Sequence, residues 1–244
     1  MKFSSKDFRS NYNQNASIQT QNTTTKTTEI SNINAFVKRV YQLVAGSLIA
    51  GAVGAYVGIG MVGYLISQNG LSFAYWGSVI LEFVLLFGLM FAKDKSPLNL
   101  ILLFAFTFMS GFTLAPTLAL FISKGLGYVI GEAFLLSAVA FFALTVFAMN
   151  TKRDFTTMGK ILFITLIIVV VAGLINIFLH LPLLQLIIAS VSAILFSFFI
   201  LYDTQNIIRG NVSNEIEAAV SLYLDFLNLF ISLLQILGFL NNEE

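Results

Sequence analysis

Seven apolar stretches, each near the ~20 residues that carry a helix across a bilayer, follow one another along this chain with short polar breaks between them. They occupy residues 37–58, 73–92, 98–122, 128–149, 161–179, 183–202 and 218–240. The breaks hold residues that interrupt or turn a helix: Gln68-Asn69-Gly70, Ser96-Pro97, Lys124-Gly125, Arg153-Asp154, His180-Leu181-Pro182 and Gly210-Asn211-Val212-Ser213-Asn214. Lipid offers backbone groups no hydrogen-bond partner, so spans of this length must be helices packed into a bundle. The expected fold class is an all-α polytopic membrane protein with seven transmembrane helices, residues 34–244 forming one transmembrane domain. Pro182 suits the first position of a helix, where its missing N–H is no loss. Pro116, inside the third stretch, is expected to kink it.

Composition closes off the soluble alternative. Only 10% of residues are charged, against about 25% in a soluble domain. A net charge of +1 gives no field for nucleic acid, and no nucleic-acid motif is present. With no cysteine, disulfides, thiolate metal sites and cysteine nucleophiles are excluded. The sequence holds no HExxH, GxSxG, phosphate-binding loop or dinucleotide fingerprint. An enzyme is not expected, nor a cofactor.

Residues 1–33 are polar and of low complexity, with too little apolar surface to offset the entropy of ordering. They are expected to form a disordered cytoplasmic tail rather than a secretory signal. Placing the N-terminus inside puts twelve of the 13 basic residues on the cytoplasmic side, with Lys124 alone opposite. That distribution predicts a cytoplasmic N-terminus and, after an odd number of spans, a C-terminus outside.

Ionisable groups in a membrane are costly, and each needs an account. Asp203 closes the sixth stretch and Asp225 lies in the seventh. The two stand at equal sequence distance from Asn214, so an antiparallel hairpin places them at similar depth. Two facing carboxylates cannot comfortably both ionise; such a pair is a proton switch, a cation site or a catalytic dyad. Asp225, Asn228, Ser232 and Gln235 are spaced by 3, 4 and 3 residues along one helical face. A polar stripe of this kind faces protein or water, which predicts that the last helix is central in the bundle, or that the stripe is hydrogen-bonding glue between helices. Glu82 sits near mid-membrane in the second span, roughly 16 Å below Lys93 at its cytoplasmic mouth. Lys93 can also snorkel to the interface. The hydroxyls of Thr107, Ser110, Thr113 and Thr117 are expected to bond to their own helix carbonyls. Gly46, Gly51, Gly54, Gly58, Gly60 and Gly63 suggest close helix packing.

Several segments resemble the Bax inhibitor-1 family of transmembrane Bax-inhibitor-motif proteins, in its bacterial branch. They are Phe87-Gly88-Leu89-Met90-Phe91, Ser110-Gly111-Phe112-Thr113-Leu114-Ala115-Pro116, Asn176-Ile177-Phe178, Leu201-Tyr202-Asp203-Thr204-Gln205 and Ser221-Leu222-Tyr223-Leu224-Asp225-Phe226-Leu227-Asn228-Leu229-Phe230. The last two are the specific ones, and the likeness runs from Ala35 to the C-terminus. It implies six helices around the last, and a pH-sensitive calcium leak gated by an aspartate pair at Asp203 and Asp225. Calcium is then a permeant ion held weakly and transiently by those two carboxylates, with Glu82 and Asn228 on its path. At the position of Lys93, bacterial relatives can carry an arginine that contacts the pair; lysine offers a point charge and no bidentate fork. The resemblance favours a bacterial inner membrane. The animal members' basic tail is absent, since the chain ends Asn241-Asn242-Glu243-Glu244.

Two other classes compete. An intramembrane aspartyl protease also uses two aspartates on neighbouring helices, but its Gly-x-Gly-Asp and Pro-Ala-Leu motifs are missing. The stronger rival is a non-transporting regulator that binds other membrane proteins, such as a membrane protease, as bacterial relatives are reported to do.

Overall fold

The computed structural model describes residues 5–67 and 71–241, with side chains from Ser31 onward apart from 65, 67, 71 and 72. The chain divides into two units, Met1–Arg39 and Val40–Glu244. All packing below lies within the second. The expectation of a disordered tail over 1–33 falls almost wholly outside the described side chains.

Among the described residues, seven helices are long and apolar enough to cross a membrane. They are α1 (Ser5–Ser67), α2 (Leu71–Ala92), α3 (Leu98–Ser123), α4 (Gly127–Asn150), α5 (Gly159–Leu179), α6 (Pro182–Ile208) and α7 (Glu215–Asn241), with a 3-10 turn at Thr156–Met158 ahead of α5. No strand occurs among the described residues. The protein is an all-α, multi-pass membrane protein. Most helices run a few residues past the apolar stretches that mark them. α3 continues through Pro116, and Pro182 takes the first turn of α6.

The α6–α7 connection shows how the local sequence sets the hairpin. Gly210, at φ 72°, takes the left-handed conformation that ends a helix. Asn211 N–H then donates back to Asn206 O at 2.9 Å. Asn214 caps α7, its Oδ1 accepting from Ile216 N–H at 2.9 Å and Glu217 N–H at 3.0 Å. Glu215 and Glu217 follow in the first turn, where negative charge meets the positive end of the helix dipole.

Three buried apolar clusters share one member helix. Leu118, Val129 and Ala133 of α3 and α4 close on Phe226, Phe230 and Leu234 of α7. Leu89 and Leu103 of α2 and α3 close on Ile216, and Phe196 and Ile200 of α6 on Leu229. The most apolar window of α7 is 44% buried, above the 11–33% of the other six helices. The last helix is therefore the central one.

α1 reaches α3 through Gly46, Gly51, Gly54 and Gly58, whereas Gly60 and Gly63, expected to pack likewise, have nothing within 4 Å of a Cβ. A methyl group built on Gly54 would stand 1.9 Å from Phe108 O, and one on Gly111 would stand 1.9 Å from Gly51 O. Only two backbones bare of side chains can approach so closely.

Three connections meet at one end of the bundle. Asn214 Nδ2 donates to Asp94 Oδ1 at 2.7 Å, joining the α6–α7 and α2–α3 connections. Arg209 pairs with Asp154 at 2.7 Å, joining α6–α7 to α4–α5. Lys93, Lys95, Lys152, Arg153, Lys160 and Arg209 all belong to these connections or their margins, so this is the basic end.

Candidate functional site

Asp203 of α6 and Asp225 of α7 are brought together near the basic end. Their carboxyl groups interact directly, a contact that requires a proton between them or mutual repulsion. Asp225 is 4% exposed, and its Oδ2 finds no hydrogen-bond donor among the described residues. Tyr202, beside the pair, lies so close to the start of α5 that a methyl group on Gly159 would stand 2.7 Å from its hydroxyl.

Asp203 lines two cavities, and Asp225 shares one of them. On the inner side a cavity of about 530 Å³ runs between α5, α6 and α7, lined by Asp203, Asp225, Asn228, Ser192, Ser232 and Gln235 among others. The polar face anticipated on α7 is one wall of it. On the outer side a cavity of about 240 Å³ holds Asp203 with Asn206, Asn211, Glu217 and Ser221. Asn228 Nδ2 donates to Leu224 O at 2.8 Å and Ser232 Oγ to Asn228 O at 2.7 Å. The Ser232 hydroxyl proton and one N–H of Asn228 are thus spent on the helix, while the amide and hydroxyl oxygens can still accept.

Glu82 is placed elsewhere. It lies on α2 against Thr113 of α3 and beside Tyr223, and lines neither cavity. The reason is rotational. Tyr223 and Asp225 are two residues apart, about 200° around α7, so the face that meets α3 and Glu82 is opposite the face that meets α6. Tyr223 OH contacts Ser110 Oγ at 2.5 Å and donates to Thr107 O at 3.2 Å. Thr107, Ser110 and Thr113 also bond to carbonyls of their own helix as expected.

Lys93 touches neither aspartate. Its ammonium is ion-paired with Glu217 in the first turn of α7. That hydrogen bond, with the partner's charge, holds the amine above its ordinary value. Asp154, in the α4–α5 connection, is held at about 2, first by the Thr156 hydroxyl and then by Arg209.

Sequence reasoning passed over Gln185, Ser192, Gln205 and Glu217. Gln185, Ser192 and Asp203 are spaced by 7 and 11 residues, which are two and three helical turns, so the α6 wall had a readable period. Gln205 looks like an ordinary polar residue at a helix end. Yet it is 1% exposed, accepts from Phe155 N–H at 2.7 Å and donates to Arg153 O at 2.8 Å. No sequence signal distinguishes such a clamp from a surface glutamine.

As to resident metals, the described residues contain no group of three or more His, Cys, Asp or Glu side chains able to hold an ion. Two carboxylates with neutral oxygens nearby suit a passing hard cation better than a stored one, which takes 6–8 oxygens.

A central helix and a paired carboxylate beside a cavity define a seven-helix membrane protein with an acidic pair within its spans. Residues 33–242 match the family described as inhibitor of apoptosis-promoting Bax1, and the chain belongs to that family. It is 53% identical over 218 residues to an uncharacterised protein of Campylobacter jejuni, covering 88% of this chain and 93% of that one. It is 38% identical over 216 residues to an uncharacterised membrane protein of Vibrio cholerae (86% and 92%). Over 168 residues it is 39% identical to a protein of Escherichia coli K12 named modulator of FtsH protease YccA (68% and 77%).

Proposed function

We propose that the protein is a pH-sensitive calcium leak of a bacterial inner membrane, gated by Asp203 and Asp225, with its N-terminus in the cytoplasm and its C-terminus outside. The observation that carries this reading is the position of the pair. Asp203 lines two cavities, Asp225 shares the inner one, and one buried oxygen of Asp225 lacks a donor.

With one proton shared, the pair ties α6 to α7 and closes the way between the cavities. With both carboxylates charged, they repel, the helices part, and carboxylate oxygens become available to a hard cation. Besides the pair, Glu217 and Tyr202 are the titratable groups lining these cavities. Lys93, bound to Glu217, supplies the nearby positive charge. Calcium crosses by way of Asn228 and the α7 stripe. Glu82, on the opposite side of α7, would act on the α2–α3 side of the path.

The test is calcium flux into liposomes from pH 6 to 8, comparing wild type with Asp203→Asn, Asp225→Asn and the double variant. Flux should rise with pH in wild type and stay low and flat in the variants. Unaltered pH dependence in the double variant rejects the pair as gate.

A second reading rests on the Escherichia coli relative, whose name makes it a modulator of a membrane protease. In it the protein transports nothing and binds a membrane protease through its helices. Stable co-purification of such a protease, with no flux from folded protein at any pH, would favour it over the leak.

A further inference from the structure

Toward the α5–α6 turn, three side-chain amides form a chain that meets the lining of the inner cavity. Asn176, near the end of α5, accepts from Leu181 N–H through Oδ1 at 3.1 Å. Its Nδ2 donates to Gln185 Oε1 on α6 at 2.8 Å. Gln185 Nε2 then donates to Gln235 Oε1 on α7 at 2.8 Å. Gln185 and Gln235 both line the same cavity as Asp203 and Asp225. The chain therefore joins all three helices that wall the cavity, and starts from a backbone group of the α5–α6 turn. His180, in the left-handed conformation, fixes that turn further by donating its N–H to Asn176 O at 2.8 Å.

We propose that the Gln185–Gln235 hydrogen bond is a second gate, closing the cavity toward the α5–α6 turn and exposing amide oxygens to a hydrated cation when it opens. The proposal rests on the leak reading for its cargo, and on geometry alone for the closure. Amides carry no charge at any pH near neutral, so this gate cannot sense protons. It divides the work with the aspartates: they set the pH dependence, and the amides set how often an open pair leads to a crossing. One interhelical hydrogen bond in a membrane is weak, about threefold in an equilibrium, as a bond that must break repeatedly should be. Breaking it frees Gln235 Oε1 and one N–H of Gln185, which supplies one cation-facing oxygen while Asn176 keeps its hold on the turn.

Methionine is nearly the shape of glutamine and lacks the amide, so Gln185→Met and Gln235→Met cut the bond while preserving packing. Each variant, and the two together, should raise calcium flux about threefold at every pH without moving the pH profile. The double should match Gln185→Met, which already removes the bond to Gln235 along with the one from Asn176, so that Gln235→Met adds no further loss. A second readout is independent of transport. The chain has no cysteine, so Ser232→Cys places a single thiol on the cavity wall. A membrane-impermeant thiol reagent applied from the α5–α6 face should label it faster in the Gln→Met backgrounds than with both glutamines present. Equal labelling in all backgrounds overturns the gate, whatever the flux does. Changed labelling in protein that passes no calcium at any pH upholds the closure and overturns the leak reading instead. A flux change that shifts the pH profile also overturns the proposed division of roles.

Discussion

Lys93 and Glu217 form an ion pair that ties the end of α2 to the first turn of α7. Glu217 also lines the outer cavity beside Asp203, so the lysine reaches that cavity through a neighbour of the aspartates, and under the proposed leak it would restrain the mouth from there. Both side chains are well exposed, at 38% and 52%, so salt should screen the pair. Because the amine is raised above its ordinary value, the pair's contribution is complete at neutral pH and lost only as pH climbs through that raised value. Wild-type leak should therefore increase with ionic strength, and Lys93→Met should start high and respond little to salt. Identical salt curves for the two would show that the pair does not restrain the mouth.

Gln205 of α6 holds the α4–α5 connection by a backbone donor and a backbone acceptor at once. Replacing it with leucine leaves Phe155 N–H and Arg153 O without these partners. Losing a hydrogen bond at such a part-buried site costs about 0.5–1.5 kcal/mol. Gln205→Leu should lower thermal stability in detergent by an amount within or above that range, and speed hydrogen exchange at Phe155 by up to about tenfold. Unchanged exchange at Phe155 would mean the amide contact is not what orders the turn.

Asp154 in that same connection gives a pH test of different sign from the gate. Its carboxyl is held at about 2 by Thr156 and Arg209. A depressed group contributes stability above its unfolded value, and loses it as pH falls through the folded one. The α4–α5 connection should thus keep its order from neutrality to about pH 4, with loosening on the way down toward 2. Asp154→Asn should show a looser connection already at pH 7, read as faster exchange of the Thr156 amide, which donates to Asp154 Oδ1 at 3.0 Å.

Much of this arrangement was legible because membranes leave few alternatives. The number of spans followed from apolar length. The central place of α7 followed from the spacing of Asp225, Asn228, Ser232 and Gln235, since polar groups in lipid must face protein or water. What spacing could not give was rotation between helices. Glu82 has a depth that suits an ion path, yet it meets Thr113 and Tyr223 on the far face of α7 from Asp225. The partners of Lys93, Gln185 and Gln205 were equally hidden. Each meets a residue more than 40 positions away in the chain, and such contacts depend on how whole helices dock. The glycines were the intermediate case: their number implied close packing, and only the fold revealed which helix they approach.

That close approach sets the last expectation. Gly54 and Gly111 lie on opposite sides of one α1–α3 contact, each with a partner backbone carbonyl where a methyl would go. A flexible side chain could move aside, but a helix backbone cannot without moving the helix. Overpacking a well-fitted site costs about 1–3 kcal/mol, and more where backbone must shift. Gly54→Val and Gly111→Val should each destabilise the folded protein in detergent by at least that amount. Gly60→Val should be nearly neutral, because nothing stands within 4 Å of a Cβ there. The contact also lies beside Tyr223, whose hydroxyl would be 2.7 Å from a methyl on Gly51. Displacing α1 from α3 should therefore disturb the face of α7 opposite the aspartates. If Gly54→Val and Gly60→Val prove equally stable by thermal unfolding, the glycines do not set the separation of α1 and α3, and the close contact between them is not a determinant of the fold.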